Sequence, residues 1–266
     1  MAFASRDQIR QAITAGRVQR WHFAKDGTAT PTAVGTFASL AAASGVPGAM
    51  ADPTTYANTT DFAGSMLNTN VSPGNRYLTN ATVFASQNGG LLVYDRLGHI
   101  GGISLASTGN KTVSSSALPR SMGTNDLNNV ECWVEVTTAT ATTAVVMSMN
   151  SYTNQAGTAA RAGGTITFPA TATIARYMAK LPLQAGDKGV QAVSTLDVAT
   201  AASAGVCNVI LLRPLAYIPV VANIPTVMDI DELPRVYDGS SVCLAFMCSA
   251  ASSVDVGGCL TFAYDA

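Results

Sequence analysis

Residues 130–137 read Val130-Glu131-Cys132-Trp133-Val134-Glu135-Val136-Thr137. Val130, Cys132, Val134 and Val136 alternate with Glu131, Trp133 and Glu135. A period of two predicts a β-strand with one apolar and one more polar face. The Thr/Ala stretch 137–143 then turns the chain back into a second strand from Val145 to Tyr152, giving a hairpin. Outward from this hairpin, short segments divided by turn residues are expected as strands at 81–86, 90–95, 144–152, 164–168, 174–183, 190–196, 205–213, 241–248 and 258–264. Leu260, Phe262 and Tyr264 alternate in the last of them. Many short strands and few helices predict a mainly β fold, a β-sandwich with jelly-roll-like wiring.

The N-terminal third reads differently. Ser5 to Gly16 is expected as a short helix, with Ser5 and Gln8 in a capping-box pattern and Gly16 as the stop. Ile9, Ala12 and Ile13 form its apolar face. Val18 to Phe23 is expected as a strand with Trp21 as an anchor, and Thr36 to Ala43 as a second short helix. Residues 26–80 carry no strong period and are rich in Thr, Ala, Pro, Gly and Asn. They are expected as an extended arm ordered by wrapping over a neighbour. The expected organisation is therefore a helix and extended arm over 1–79, then a β-sandwich domain over 80–266.

Composition points to an assembly subunit. Only 12% of the 266 residues are charged while 48% are hydrophobic, about half the charge density of an ordinary globular chain (about 25%). Faces with so little charge suit coverage by neighbours. The net charge of −1 sets up no field toward nucleic acid or membrane. Mean hydropathy is +0.25, yet no segment reaches the ~18 uninterrupted apolar residues of a membrane helix. The best stretch, Val206 to Ile224, is broken by Arg213, Pro214 and Pro219. Met1 to Arg10 has no apolar signal core, so a soluble protein made in a cytoplasm is expected. Five cysteines, at 132, 207, 243, 248 and 259, form no C-x-x-C pair. Most sit in apolar runs and read as free, buried thiols.

Catalytic chemistry is sparse. The two histidines, His22 and His99, lie in no metalloprotease motif, and no nucleophile elbow, Walker loop or dinucleotide-binding glycine pattern is present. Asp95 and His99 could pair, but no nucleophile accompanies them, and Asp95–Arg96 reads as a structural ion pair at a strand end. Asp229-Ile230-Asp231-Glu232 reads as an acidic surface turn, lacking the glycine and spacing of a calcium loop. The expectation is no enzyme, no cofactor and no metal. The charges are unevenly placed: Arg6, Arg10, Arg17, Arg20 and Lys25 face only Asp7 in the first 25 residues. A basic arm could dock on an acidic neighbour, including another copy of the chain.

Five segments carry a likeness to known proteins: Leu92-Val93-Tyr94-Asp95-Arg96-Leu97, Ala117-Leu118-Pro119-Arg120, Tyr152-Thr153-Asn154-Gln155-Ala156-Gly157-Thr158, Gly186-Asp187-Lys188-Gly189-Val190 and Leu211-Leu212-Arg213-Pro214-Leu215. In this order, over about residues 45–262, they resemble a family of virion structural proteins of tailed bacteriophages encoded among head genes. The resemblance implies a capsid decoration (cement) protein at the capsid surface, with the major capsid protein and itself, as a homotrimer, for partners. Arg10, Arg17, Arg20 and Trp21 are the expected partner contacts, because Arg and Trp recur at interface hot spots. A tail or baseplate subunit, or a host-glycan-binding adhesin module, are the alternatives.

Overall fold

The computed structural model describes residues 6–27, 35–50, 64–67, 74–113, 115, 118, 127–138, 140, 144–168, 176–250 and 252–265. One helix, α1 (Arg6–Thr14), precedes the strands β1 (Val18–Lys25), β2 (Phe37–Ser39), β3 (Gly45–Val46), β4 (Met66–Leu67), β5 (Arg76–Ala85) and β6 (Gly89–Ser104). There follow β7 (Gly109–Thr112), β8 (Glu131–Thr138), β9 (Val145–Asn154), β10 (Thr165–Phe168), β11 (Tyr177–Lys180) and β12 (Val190–Thr200). The chain ends with β13 (Val206–Val220), β14 (Thr226–Asp229), β15 (Arg235–Val236), β16 (Ser241–Cys248) and β17 (Val256–Tyr264).

The centre of the fold is a closed barrel. Strands run β2-β11-β8-β13-β6-β16, and β2 pairs back onto β16 to close the ring. A second sheet, β10-β9-β12-β7, covers one flank. A third, β14-β5-β17-β1-β3 with β15 also on β5, covers another. All pairings between named strands are antiparallel. The mainly β expectation therefore holds, but the described strands form three sheets rather than the two of a simple sandwich.

Two long strands make this possible. β6 and β13 pair along almost their whole lengths and serve three cores. Leu97, Ile103, Cys207, Val209 and Leu211 pack with β8, β9 and β12 under the second sheet. Leu91, Val93, Leu215, Ile218 and Val220 pack with β5, β16 and β17 under the third. Leu92, Tyr94, Ile210 and Leu212 point into the barrel, with Trp133, Met178, Cys243, Ala245 and the turn residues Ala41 and Ala42. Pro214, which cannot donate to a ladder, sits where the β13–β6 register shifts, between Pro214 and Ala216. A bulge is where proline is tolerated in an inner strand.

Several local expectations change. The polar side of β8 is not solvated: Trp133 and Glu135 are buried, because that face lines the barrel. The helix expected at Thr36 to Ala43 is instead β2 followed by a turn; pairing with β11 and β16 outweighs the local propensity of a short segment. The boundary expected between 79 and 80 falls inside β5. The described strands of 1–79 are built into the same sheets as later strands, with β1 lying between β17 and β3. Asp95 and Arg96 lie mid-strand in β6, both buried.

α1 ends as its sequence predicts. Gly16 takes φ of 71°, its N–H donates to the Ile13 carbonyl at 3.0 Å, and the Arg17 N–H donates to the Ala12 carbonyl at 2.8 Å. This is the paired closure that a left-handed glycine permits. Ala12 is buried while Ile13 is exposed, so the apolar face is narrower than expected. Ser5 lies outside the described residues.

Candidate functional site

The basic N-terminal segment finds its acid within its own chain. Arg6 pairs with Asp231 in the acidic turn after β14, and Arg10 lies 3.7 Å from Asp7 one helical turn away. The other expected contact residues do not form one cluster. Arg10 is exposed on α1, and Arg17 is half-buried in the turn before β1, its carbonyl accepting from the Tyr264 N–H. Arg20 and Trp21 are consecutive on β1 and so point to opposite faces. Arg20 is on the outer, solvent side. Trp21 turns inward, its ring 4.5 Å from that of Phe262, and packs on the rim of a core.

The sparse catalytic candidates are likewise absorbed. His99 is buried, and burial together with the Arg96 guanidinium holds it down at about 3, so it is neutral near neutral pH. Asp95 is about 13 Å away along the same strand. It accepts from the Ser240 hydroxyl at 3.3 Å and the Ser241 N–H at 3.2 Å. Asp229 accepts from the Asn80 amide at 2.9 Å. Among the described residues, no group of three or more His, Cys, Asp or Glu side chains is placed to hold a metal ion. Burial pushes the thiols of Cys207 and Cys243 up to about 12 and that of Cys248 to about 11, far from a reactive thiolate.

Two motifs quoted from the sequence meet in space. The Asp187 carboxylate accepts from the Tyr152 hydroxyl at 2.5 Å and the Asn154 amide at 2.8 Å. Arg161 adds a two-pronged contact at 3.0 and 3.2 Å. Tyr152 in turn accepts the Gln184 N–H at 2.8 Å, and Asn154 Oδ1 caps the turn through Ala156 and Thr158 N–H. Desolvation alone would raise the Asp187 acid, but Arg161, Tyr152 and Asn154 outweigh it and hold it at about 2. Every strong acceptor position is used internally, so the cluster is a clasp tying β9 to the loop before β12. Gly189 in the same motif leaves no room for a side chain, since a Cβ would lie 1.7 Å from the Leu127 carbonyl oxygen.

Lys25 is a second internal lock. Its ammonium is buried and donates to the carbonyls of Ala43, Pro47 and Gly48 at 3.1, 2.5 and 3.1 Å. Burial lowers it to about 8.

One sheet face stands open. On the outer side of the third sheet, register places three rows across the strands. The first is Phe84–Gly257–Ala24–Val46. The second is Val227–Thr82–Cys259–His22, and the third Asp229–Asn80–Thr261–Arg20. Phe84, Val46 and Val227 are 49%, 60% and 66% exposed. The Phe84 ring lies over Gly257, where a Cβ would sit 2.4 Å from its tip.

No family model matches the chain. No curated protein matches it either. Among solved structures, the crystal structure of the infectious bursal disease virus VP2 subviral particle aligns over 94% of this chain and 42% of that one, at 10% identity and a TM-score of 0.11. The chain thus spans less than half of that protein, and a likeness of this size carries no argument about fold or role.

The alternation at Asn80, Thr82 and Phe84 against Ala81, Val83 and Ala85 signals a strand, but not which side faces water. Phe84 is the most apolar residue of the set, and hydrophobicity alone would have turned it inward.

Proposed function

We propose that this chain is a non-enzymatic structural protein of a tailed-phage virion. In this reading it is a capsid decoration (cement) protein that binds the major capsid protein at the capsid surface, as a homotrimer, and stabilises the head. It takes no cofactor and no metal, and engages neither nucleic acid nor membrane. A jelly-roll-like sandwich is the fold expected of such a part.

The observation that carries the reading is the fate of the polar groups with chemical potential. Asp187 and Lys25 are held by several internal partners each, and His99 is buried and neutral. Two of the motifs that carry the resemblance to phage virion proteins build one of these locks, through Tyr152, Asn154 and Asp187. One open sheet face carries the exposed Phe84, Val46 and Val227 and is suited to packing. A cement protein multiplies weak contacts of this kind over a symmetric lattice.

The test is co-sedimentation with phage shells that lack the protein, through a sucrose cushion. Saturable pelleting with the shells, at a fixed copy number per shell, is the expected result. Retention in the supernatant at every concentration overturns the decoration role.

A further inference from the structure

The open face has a charge pattern that selects its occupant. The third row bears Asp229 at one end, on β14, and Arg20 at the other, on β1, with Asn80 and Thr261 between. The first row bears no charge and holds the exposed Phe84 and Val46. The geometry points to a second copy of this chain docking face to face, about a two-fold axis that runs parallel to the strands between β5 and β17.

Rotation about such an axis keeps each row on the same row and exchanges β14 with β1 and β5 with β17. Arg20 then lies over Asp229 of the second copy, and Asp229 over Arg20 of the second copy. His22 meets Val227, Asn80 meets Thr261, and Phe84 meets Gly257. A two-fold axis across the strands would instead lay the third row on the first and set both charges against apolar positions, which costs desolvation without compensation. The strand-parallel axis is the arrangement that sets Arg20 and Asp229 opposite each other and covers the exposed Phe84 and Val227. It is isologous, as two-fold contacts are, and stacked sheets at about 10 Å leave room for an arginine to span the gap.

Strand spacing and rise give the face roughly 400 Å² per copy, about half the ~800 Å² per partner of a standard stable interface. The contact is therefore weak in isolation and gains strength where copies are held close together. It is a two-fold contact, separate from the three-fold contact of the proposed homotrimer, and does not depend on the placement in a virion.

The test is sedimentation velocity of the full chain, without capsids, up to roughly 1 mM, the range in which a weak contact shows. The smallest species, monomer or trimer, is expected to double in mass as concentration rises. Arg20→Asp and Asp229→Arg are each expected to weaken the doubling by about tenfold or more, because each sets like charges opposite one another. A 1:1 mixture of the two variants is expected to restore it, since every contact in the mixed pair is again between opposite charges. Both positions are exposed, and far-UV circular dichroism checks that the variants fold. Phe84→Lys is expected to remove the doubling through the first row. The proposal is overturned if the wild type does not double, if any single variant doubles as the wild type does, or if the mixture associates no better than its components.

Discussion

Lys25 and Asp187 show how single charged residues serve the fold here. Removing the Lys25 ammonium leaves one buried carbonyl, that of Ala43, and two partly buried ones, those of Pro47 and Gly48, without their donor. Lys25→Met, which keeps most of the volume, is expected to cost about 1–3 kcal/mol, read as a lower urea midpoint with an unchanged slope. Asp187 has its acid held at about 2, below the ordinary value of 3.8. A carboxyl depressed in the folded state contributes stability that is fully present above about pH 4 and is lost as pH falls toward 2. Urea titrations between pH 5 and 2 should therefore show a falling limb. Asp187→Asn should flatten that limb while lowering stability at neutral pH. A limb of undiminished slope in the variant would assign acid sensitivity to other carboxylates.

At the scale of elements, β6 and β13 do the most, because each presents different residues to different cores along its length. Leu211 of β13 packs under the second sheet, whereas Ile218, seven positions on, packs under the third. Both are fully buried. Leu211→Ala and Ile218→Ala are each expected to destabilise by about 2–5 kcal/mol, measured by chemical denaturation. If the two flanking sheets were independent units, each substitution would lower only part of the unfolding signal. With shared strands, each lowers the whole transition.

The whole molecule should then unfold as one body, although it has three apolar cores. Its two tryptophans are placed to test this: Trp21 lies on the rim of the core under the third sheet, and Trp133 in the barrel. Trp21→Phe leaves only the barrel reporter, and Trp133→Phe only the sheet reporter. In each variant the fluorescence midpoint in urea should coincide with the midpoint seen by far-UV circular dichroism, as two-state unfolding requires. Separated midpoints would mean that the barrel and the third sheet are distinct cooperative units. Low surface charge belongs to this scale too. It weakens repulsion between copies, so contacts such as that of Arg20 with Asp229 of a second copy need only modest area.

The sequence by itself determined the β class, the strands β8 to β12, β16 and β17 to within a few residues, the first part of β13, the helix α1 with its Gly16 stop, and the buried thiols; β14, β15 and the last seven residues of β13 were not legible in it. These follow from local physics: a period of two in side-chain burial, a glycine that tolerates positive φ, and a small apolar side chain that water excludes. Only the tertiary structure decided the rest. Alternation in 130–136 gave two faces but not that both are buried, because a barrel interior is made by strands far apart in sequence. The motifs around Tyr152 and Asp187 were visible as words, yet their meeting through Arg161 depends on β9 and the loop before β12 being brought together by the sheet. The same holds for the open face: Arg20 and Asp229 share a row only because β1, β17, β5 and β14 pair in that register, and register is a property of the assembled sheet.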